Sequence, residues 1–566
     1  MNTILETKKD LFTATELITE CLLDEKVEKA FTASTKLLTP LQLSFIKSEK
    51  IKAVFMNHEQ AIVHAADGYA RATGKAGFVL IPADSGFTNA ITGIATAQMD
   101  SVPLVIFAVQ PHQQRALHVD DSTTIDTLGM SLPLVKYHYQ LKSMMDCQKV
   151  IKESFKLAVE GRPGPVIIEI NENLLTDTTL FKKEKPASFK VHEKEAIFSS
   201  HLLQQVNHEI KQAKRPVIFI GGGVNIAGAS HLVKYFAEKA NIPVVSTMMG
   251  LGAFPSNHPL YLGYVGMHGT FAANRAVNRA DLLLCLGLRF SDRVTGNIKG
   301  FSPNSRKIQV DIDASEMNKI IPVDFPIVGD VKEFLQDFQP MVEACHTEQW
   351  VEEVQSWNQK VPRYSEKDSD SLLKPQQVIE LLNNYSHGDA LVATDVGQHQ
   401  IWTSHYYKFS QERTFITSGG LGTMGYGVPA AIGAAFAETG KDVILVSGDG
   451  SFQMNFQELS IIAAHQLPIK IAILKNSYLG MVRQWQEMFY KKRYSSVHMA
   501  SPNFVTLAEA YGIPGAAAKS LEDAEKVISQ AFQINKPFLM EFDVTEEENV
   551  FPIVPPGANN TAAILK

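Results

Sequence analysis

Cysteine is scarce. The chain has four in 566 residues, Cys21, Cys147, Cys285 and Cys345, far apart and never spaced as Cys-x-x-Cys. That argues against a disulfide framework or a zinc site and predicts buried thiols in a reducing, cytoplasmic compartment. Long apolar runs are missing as well. Residues 102–109 typify the longest, well short of the roughly 20 needed to span a membrane, so no membrane partner is expected. The first eleven residues carry Glu6, Lys8, Lys9 and Asp10 and no apolar block, so no signal peptide is expected. Positive charge is not in excess: 53 Lys and Arg against 60 Asp and Glu leave −7, with no basic stripe interleaved with aromatics. Recognition of a phosphate backbone is therefore excluded, and no nucleic-acid partner is expected.

What remains is an ordinary globular composition, 45% hydrophobic and 20% charged, in a chain long enough for about three domains. Two polar, breaker-rich stretches, 180–200 and 361–374, read as linkers. They divide the chain into expected domains at 1–182, 195–362 and 370–566. Each alternates short β-branched runs with helical patterns, the signature of parallel α/β sheets. Strands are expected at 77–81, 103–109, 216–220, 243–246, 282–286, 308–312, 390–394, 443–446 and 469–474, and helices at 59–73 and 88–98. Such sheets bind ligands beyond the carboxyl ends of their strands, where the informative residues fall.

After the strand at 443–446 comes Ser447-Gly448-Asp449-Gly450-Ser451. The glycines permit a tight turn and close backbone approach to an anion, and Asp449 offers a hard oxygen suited to magnesium. The next strand ends at Asn476, 27 residues after Asp449, bringing an amide oxygen to the same place. A helix expected to begin near Leu479-Gly480-Met481-Val482 would aim its N–H groups at a phosphate. Spacing, strand context and the intervening 453–459 (QMNFQEL) resemble the motif of the thiamine-diphosphate-dependent enzymes. The resemblance implies three doubly wound α/β domains, binding pyrimidine, FAD and diphosphate in turn. It also implies Mg2+ held by Asp449, Asn476 and the carbonyl of Tyr478, although Lys475 stands where relatives often have asparagine.

Asn57-His58-Glu59-Gln60-Ala61, followed by Ala65-Ala66-Asp67-Gly68-Tyr69-Ala70-Arg71, resembles that family's glutamate segment. Glu59 is then the catalytic carboxylate that makes the cofactor's aminopyrimidine a base. Because that glutamate serves a diphosphate site on another subunit, a homodimer is implied, with a homotetramer open.

Within the family, residues 12–558 are most similar to acetohydroxyacid synthase, the acetolactate synthase large subunit. The segments 395–400 (DVGQHQ) and 418–427 (SGGLGTMGYG) carry the likeness. They imply that Gly397, Gln398, His399 and Gly422 line the thiamine cofactor and that Met424 wedges between its rings. Trp485 matches the residue that shapes the acceptor pocket, and Arg293 the one that binds the acceptor carboxylate, a task suited to a planar fork of donors. Gly222, Thr247, Met248, Met267, His268, Gly287, Arg289 and Asp311, with Arg162 from the first domain, match residues that bind FAD. The implied reaction decarboxylates pyruvate and joins the two-carbon unit to a second 2-oxo acid, pyruvate or 2-oxobutanoate, in branched-chain amino-acid biosynthesis. A small regulatory subunit is an open partner.

The first domain departs from that pattern. Ala33-Ser34-Thr35-Lys36 stands for Tyr-Pro-Gly-Gly, and Ala83-Asp84-Ser85-Gly86-Phe87-Thr88-Asn89 for Ser-Gly-Pro-Gly-Ala-Thr-Asn. Ser122-Thr123 replaces Phe-Gln, and Glu172 a lysine. Lys36 and Asp84 could pair with each other or recognise another substrate. Two alternatives therefore stay open: a thiamine-dependent decarboxylase or lyase for a different 2-oxo acid or acceptor, and a non-catalytic paralogue.

Overall fold

The computed structural model describes residues 11–111, 125–177, 179–183, 198–358 and 373–565. Strands rich in Val, Ile, Leu and Phe are apolar on consecutive positions, so both faces of a sheet must be covered by helices. The described residues accordingly build three six-stranded sheets. The first runs Lys52–Phe55, Lys29–Thr32, Gly77–Pro82, Leu104–Gln110, Pro165–Asn171, Tyr137–Leu141, with every neighbour parallel. The second, also parallel, runs Tyr261–Tyr264, Val244–Ser246, Pro216–Ile220, Leu282–Leu286, Arg306–Asp311, Phe325–Val328. The third runs Phe415–Ile416, Leu391–Thr394, Val443–Gly448, Ile469–Lys475, Phe538–Asp543, Gly515–Ala518.

In the middle sheet the period of two is explicit. Leu282, Leu284 and Leu286 face one apolar cluster, Leu283 and Cys285 the other. All four cysteines are buried and free, as their spacing predicts. No helix among the described residues is long and apolar enough to cross a membrane.

The strands expected in the sequence recur with small shifts at their ends. The one expected at 308–312 is Arg306–Asp311, and the helix expected at 88–98 is Ser85–Asp100. Short strands such as Lys29–Thr32 and Gly515–Ala518 were not among those read from the sequence.

The described residues fall into two compact units. One lies within Met1–Val191, Ile416–Leu445 and Ser451–Ile469, the other within His192–Phe415, Val446–Gly450 and Lys470–Lys566. The first unit explains much of the segment that follows Glu59. Helix Glu59–Thr73 crosses helix Gly427–Phe436 so closely that a Cβ on Gly68 would lie 2.2 Å from the Ala430 carbonyl oxygen, and one on Gly433 1.8 Å from that of Ala65. Only glycine permits that approach.

A buried ionic network borders the crossing. Arg71 binds Asp67 through Nε at 2.6 Å and Asp100 through Nη2 at 2.8 Å. The hydroxyl of Tyr426 donates to Asp67. Asp100 in turn accepts the N–H groups of Gly419 at 3.1 Å and Gly420 at 2.7 Å. Removing the cation strands two buried carboxylates, and breaking a buried pair costs about 3–5 kcal/mol. Arg71→Ala is therefore expected to lower the urea midpoint of this unit sharply, whereas loss of the exposed pair Lys75–Glu28 should leave it within error.

Candidate active site

In the first unit, Glu59 occupies the first position of helix Glu59–Thr73. His58 caps that helix, its Nδ1 accepting the N–H of Gln60 at 3.2 Å. The Glu59 carboxylate is half-buried and held at Oε2 by the side-chain amide of Asn89 at 3.0 Å. A Cβ on Gly86 would stand 2.8 Å from Glu59 Oε1, so glycine there leaves the carboxylate its place. Both residues lie in the altered segment 83–89, and Asn89 went unnoticed in the sequence because nothing in the spacing pairs it with residue 59.

The same unit carries the loop of Gly422 and Met424. Ser418 Oγ accepts the N–H groups of Gly422 at 3.1 Å and Thr423 at 3.0 Å. The hydroxyls of Thr423 and Thr96 meet at 2.8 Å. Gly422 has φ +74° and Gly425 φ +90°, a region that only glycine enters freely. Met424 between them is half-buried. Arg162, also in this unit, donates through Nε to Ser101 Oγ at 2.9 Å.

Among the described residues, the altered loops place no residue at positive φ. Neither Thr35 nor Lys36 has positive φ, so the replaced glycines are not needed for the backbone path taken here. Lys36 is exposed and does not pair with Asp84. Asp84 instead caps helix Ser85–Asp100 through the N–H of Gly86 at 2.9 Å. Glu172 opens the short helix Glu172–Leu175. Ser122 and Thr123 lie outside the described residues.

In the second unit, Asp449 and Asn476 come together at adjoining strand ends. Asp449 is buried, and its Oδ2 accepts the N–H of Ser477 at 2.9 Å and the hydroxyl of Ser501 at 2.7 Å. Ser477, at φ +58°, turns the chain between Asn476 and Tyr478. The Tyr478 N–H donates to Asn476 Oδ1 at 3.1 Å. Burial raises the proton affinity of Asp449 against these donors.

The charge of Lys475 acts on Asp449 from a distance. The lysine itself binds Glu541 at 2.7 Å and Asp543 at 3.7 Å. No cluster of three or more His, Cys, Asp or Glu side chains forms a metal site among the described residues. One carboxylate and one amide oxygen make a hard-oxygen set that fits Mg2+ when a ligand's phosphate oxygens complete it. The residues therefore fit that ion together with a diphosphate.

The glycines here act through space rather than through φ. Gly448 and Gly450 are not among the residues with positive φ. Residues Asp449–Phe452 turn into helix at once, correcting the tight turn expected there, with Ser451 buried in that helix. A Cβ on Gly448 would lie 2.8 Å from His399 Nδ1, and one on Gly450 2.8 Å from the Leu479 side chain. His399 is buried, its pKa pulled down to about 3 by desolvation, and its Nε2 has no hydrogen-bond partner among the described residues. The imidazole that faces Gly448 through Nδ1 is thus neutral and keeps a buried Nε2 toward which a ligand could donate. Gly397, at φ +152°, starts helix Gln398–Tyr406.

Helix Gly480–Phe489 begins at Leu479, as expected. Met481 is half-buried and Val482 exposed at its open end. Gly480 has no room for a Cβ, which would lie 2.0 Å from Gln398 Oε1. That oxygen accepts from Asn476 at 3.4 Å, while Gln398 Nε2 donates to Gln484 at 2.9 Å. Arg483 and Gln484, which the sequence reading passed over, are completely buried. Arg483 binds Glu487 at 2.7 Å, and Gln484 accepts the Val550 N–H at 2.8 Å. The signal was present, since residues 483 and 484 share the helix face that turns away from Val482. Trp485 is half-buried and packs on Phe489, ring centres 5.0 Å apart.

The residues expected to bind FAD gather at the carboxyl ends of neighbouring strands of the middle sheet. Gly222 follows Pro216–Ile220, Thr247 and Met248 follow Val244–Ser246, and Met267 and His268 follow Tyr261–Tyr264. Gly287 and Arg289 follow Leu282–Leu286, and Asp311 ends Arg306–Asp311. The glycine cluster again serves close approach: a Cβ on Gly221 would meet the Gly287 carbonyl oxygen at 2.1 Å, and Gly287 itself has φ +59°. Arg293 is exposed and makes no ion pair with an acidic side chain among the described residues. Its guanidinium is thus available to a ligand.

Comparison with known proteins agrees with this arrangement. Residues 12–130 match the family described as thiamine pyrophosphate enzyme, N-terminal TPP binding domain. Residues 203–338 match its central domain, and 395–542 its C-terminal TPP binding domain. The chain is 39% identical to the acetolactate synthase large subunit of Lactococcus lactis, covering 97% of this chain and 95% of that one. Identity is also 39% with the acetolactate synthase large subunit of Haemophilus influenzae, over 97% and 98% of the two chains. With the acetolactate synthase isozyme 3 large subunit of Escherichia coli it is 38%, over 96% and 97%. With all three domains present in order and relatives this similar along nearly their whole length, the chain belongs to the acetolactate synthase large-subunit family of thiamine pyrophosphate enzymes.

Proposed function

We propose that this protein is an acetolactate synthase, decarboxylating pyruvate and condensing the two-carbon fragment with a second 2-oxo acid. The observation that carries the reading is identity of 38–39% with acetolactate synthase large subunits across all three domains. Bound thiamine diphosphate supplies the electron sink that lets a 2-oxo acid lose carbon dioxide.

The chain's own residues do the rest. Asp449, the Asn476 amide oxygen and the Tyr478 carbonyl hold Mg2+ against the diphosphate. Gly450, Ser451 and the N–H groups of 479–482 approach the phosphates, and Gly397, Gln398, His399, Gly422 and Met424 line the cofactor. Glu59 holds a proton at its carboxylate toward the pyrimidine ring, its Oε2 steadied by Asn89. Arg293 binds the carboxylate of the acceptor, and Trp485 sets the size of its side-chain pocket. Arg162 and the eight residues named at the strand ends of the middle sheet would hold FAD, which would serve structure rather than redox chemistry because the condensation is redox-neutral. Domains at 1–182, 195–362 and 370–566, a homodimer or homotetramer, a small regulatory subunit and a cytoplasmic location complete the proposal. The relatives' designation as large subunits supports the small partner.

The test is a product analysis by mass spectrometry with pyruvate alone and with 2-oxobutanoate, in thiamine diphosphate, Mg2+ and FAD. The expected products are 2-acetolactate and 2-aceto-2-hydroxybutanoate. No acetolactate from pyruvate would sink the reading. A second reading keeps the cofactors and changes the 2-oxo acid or acceptor. It is favoured by exposed Lys36 in place of a glycine, and it predicts turnover of another 2-oxo acid while pyruvate condensation stays slow.

A further inference from the structure

Glu458 is fully buried, and among the described residues no basic side chain is one of the groups that act on its carboxyl. Its Oε2 accepts the backbone N–H of Asn57 at 3.2 Å and the Asn57 side-chain amide at 3.4 Å. That amide also reaches the Gln457 carbonyl at 3.1 Å and the Ser460 hydroxyl at 2.7 Å. The N–H of His58 faces the same carboxylate and, with Asn57, opposes the rise to about 7 that burial imposes on its pKa. Oε1 has no partner among the described residues. The other titratable groups on the turn are His58 and Glu59. Helix Gly427–Phe436, packed behind, has none.

A buried, unpaired carboxylate costs stability, and Leu or Met would fill the same volume without that cost. What Glu458 gains is a fixed turn at residues 57–58, one step before the helix that begins at Glu59. Glu59 is thus held from two sides, its carboxylate by Asn89 and its backbone by the turn that Glu458 anchors. We propose that Glu458 is a positioning residue for Glu59, setting where that carboxylate stands through the Asn57–His58 turn. The inference rests on the role given to Glu59 above.

The test uses the full chain with Glu458→Ala and Glu458→Gln, each alone and combined with Glu59→Gln. It reads acetolactate kinetics and, separately, thiamine diphosphate affinity by calorimetry in Mg2+. Displacement of a reacting group by about 1 Å can cost 100-fold, so Glu458→Ala should lower kcat about 10- to 100-fold with KM for pyruvate within about twofold. Glu458→Gln keeps an oxygen for the Asn57 N–H and should stay within about threefold of wild type. In the Glu59→Gln background, Glu458→Ala should change neither residual rate nor affinity further, the non-additivity expected of residues acting as one. Effects that multiply, a glutamine variant as impaired as the alanine, or an unchanged kcat in Glu458→Ala would overturn the proposal. Should Glu458→Ala not fold, Asn57→Ala cuts the same anchor and carries the same expectations. If wild type makes no acetolactate, the proposed activity fails, and the calorimetric cycle still decides whether Glu458 acts through Glu59.

Discussion

Glu59→Gln should lower kcat for acetolactate formation by roughly 10²- to 10⁴-fold, the range lost when a positioned acid or base is removed. The amide keeps the size of the side chain and can still accept from Asn89, which holds Oε2 at 3.0 Å. Fold and helix start should therefore be unchanged, and the loss should fall on kcat rather than on KM for pyruvate. Asn89→Ala is the companion. It frees the carboxylate to rotate while leaving its charge, so a smaller loss is expected, on the order of tenfold. Steady-state kinetics with thermal melts as a folding control decide both. A Glu59→Gln enzyme with more than a tenth of wild-type kcat would remove this residue from the reaction.

Asp449→Asn should have opposite effects on the protein with and without its cofactor. In the free protein the aspartate is buried and its proton affinity is raised by desolvation. Exchanging it for a neutral amide removes a buried charge and should leave the melting temperature equal or higher. With Mg2+ and thiamine diphosphate present, wild type gains about 2.7 kcal/mol at a ligand concentration of 100 Kd. The variant should lose nearly all of that gain, together with activity. Ser501→Ala, which removes only the hydroxyl donating to Asp449 Oδ2, should weaken metal-dependent binding about 10- to 100-fold. Differential scanning calorimetry with and without cofactor reads all three proteins. An Asp449→Asn protein that still melts higher when Mg2+ and thiamine diphosphate are added would place the ion elsewhere.

Both predictions concern residues that the sequence singled out, Glu59 through the resemblance of its segment and Asp449 also through its place at a strand end. Asp449 and Asn476 end strands whose apolar runs are continuous, so their spacing along the chain maps directly onto adjacency in a parallel sheet. The residues that support them were hidden. Ser501 reaches Asp449, and Glu458 reaches Asn57, across separations of 52 and 401 residues, with no periodicity to connect them. Glycine was legible as a requirement and misread as to cause. Gly448 and Gly450 stand at ordinary φ and are small because His399 and Leu479 lie against them. The Asp67–Arg71 motif looked like part of the catalytic segment. Its charges instead tie helix Glu59–Thr73 to Tyr426 and, through Asp100, to Gly419 and Gly420.

By itself, the sequence determined three parallel α/β sheets, the strand tips that carry Asp449 and Asn476, and the helix that begins at Glu59. Local hydrophobic period and strand-end spacing encode these within short windows. Tertiary structure alone decided which side chains hold those groups in place: Asn89 and Glu458 about Glu59, Ser501 about Asp449, Gln398 and Gln484 beneath Gly480. Such contacts depend on where distant segments pack and on desolvation once they do, and neither is written in any local stretch of chain.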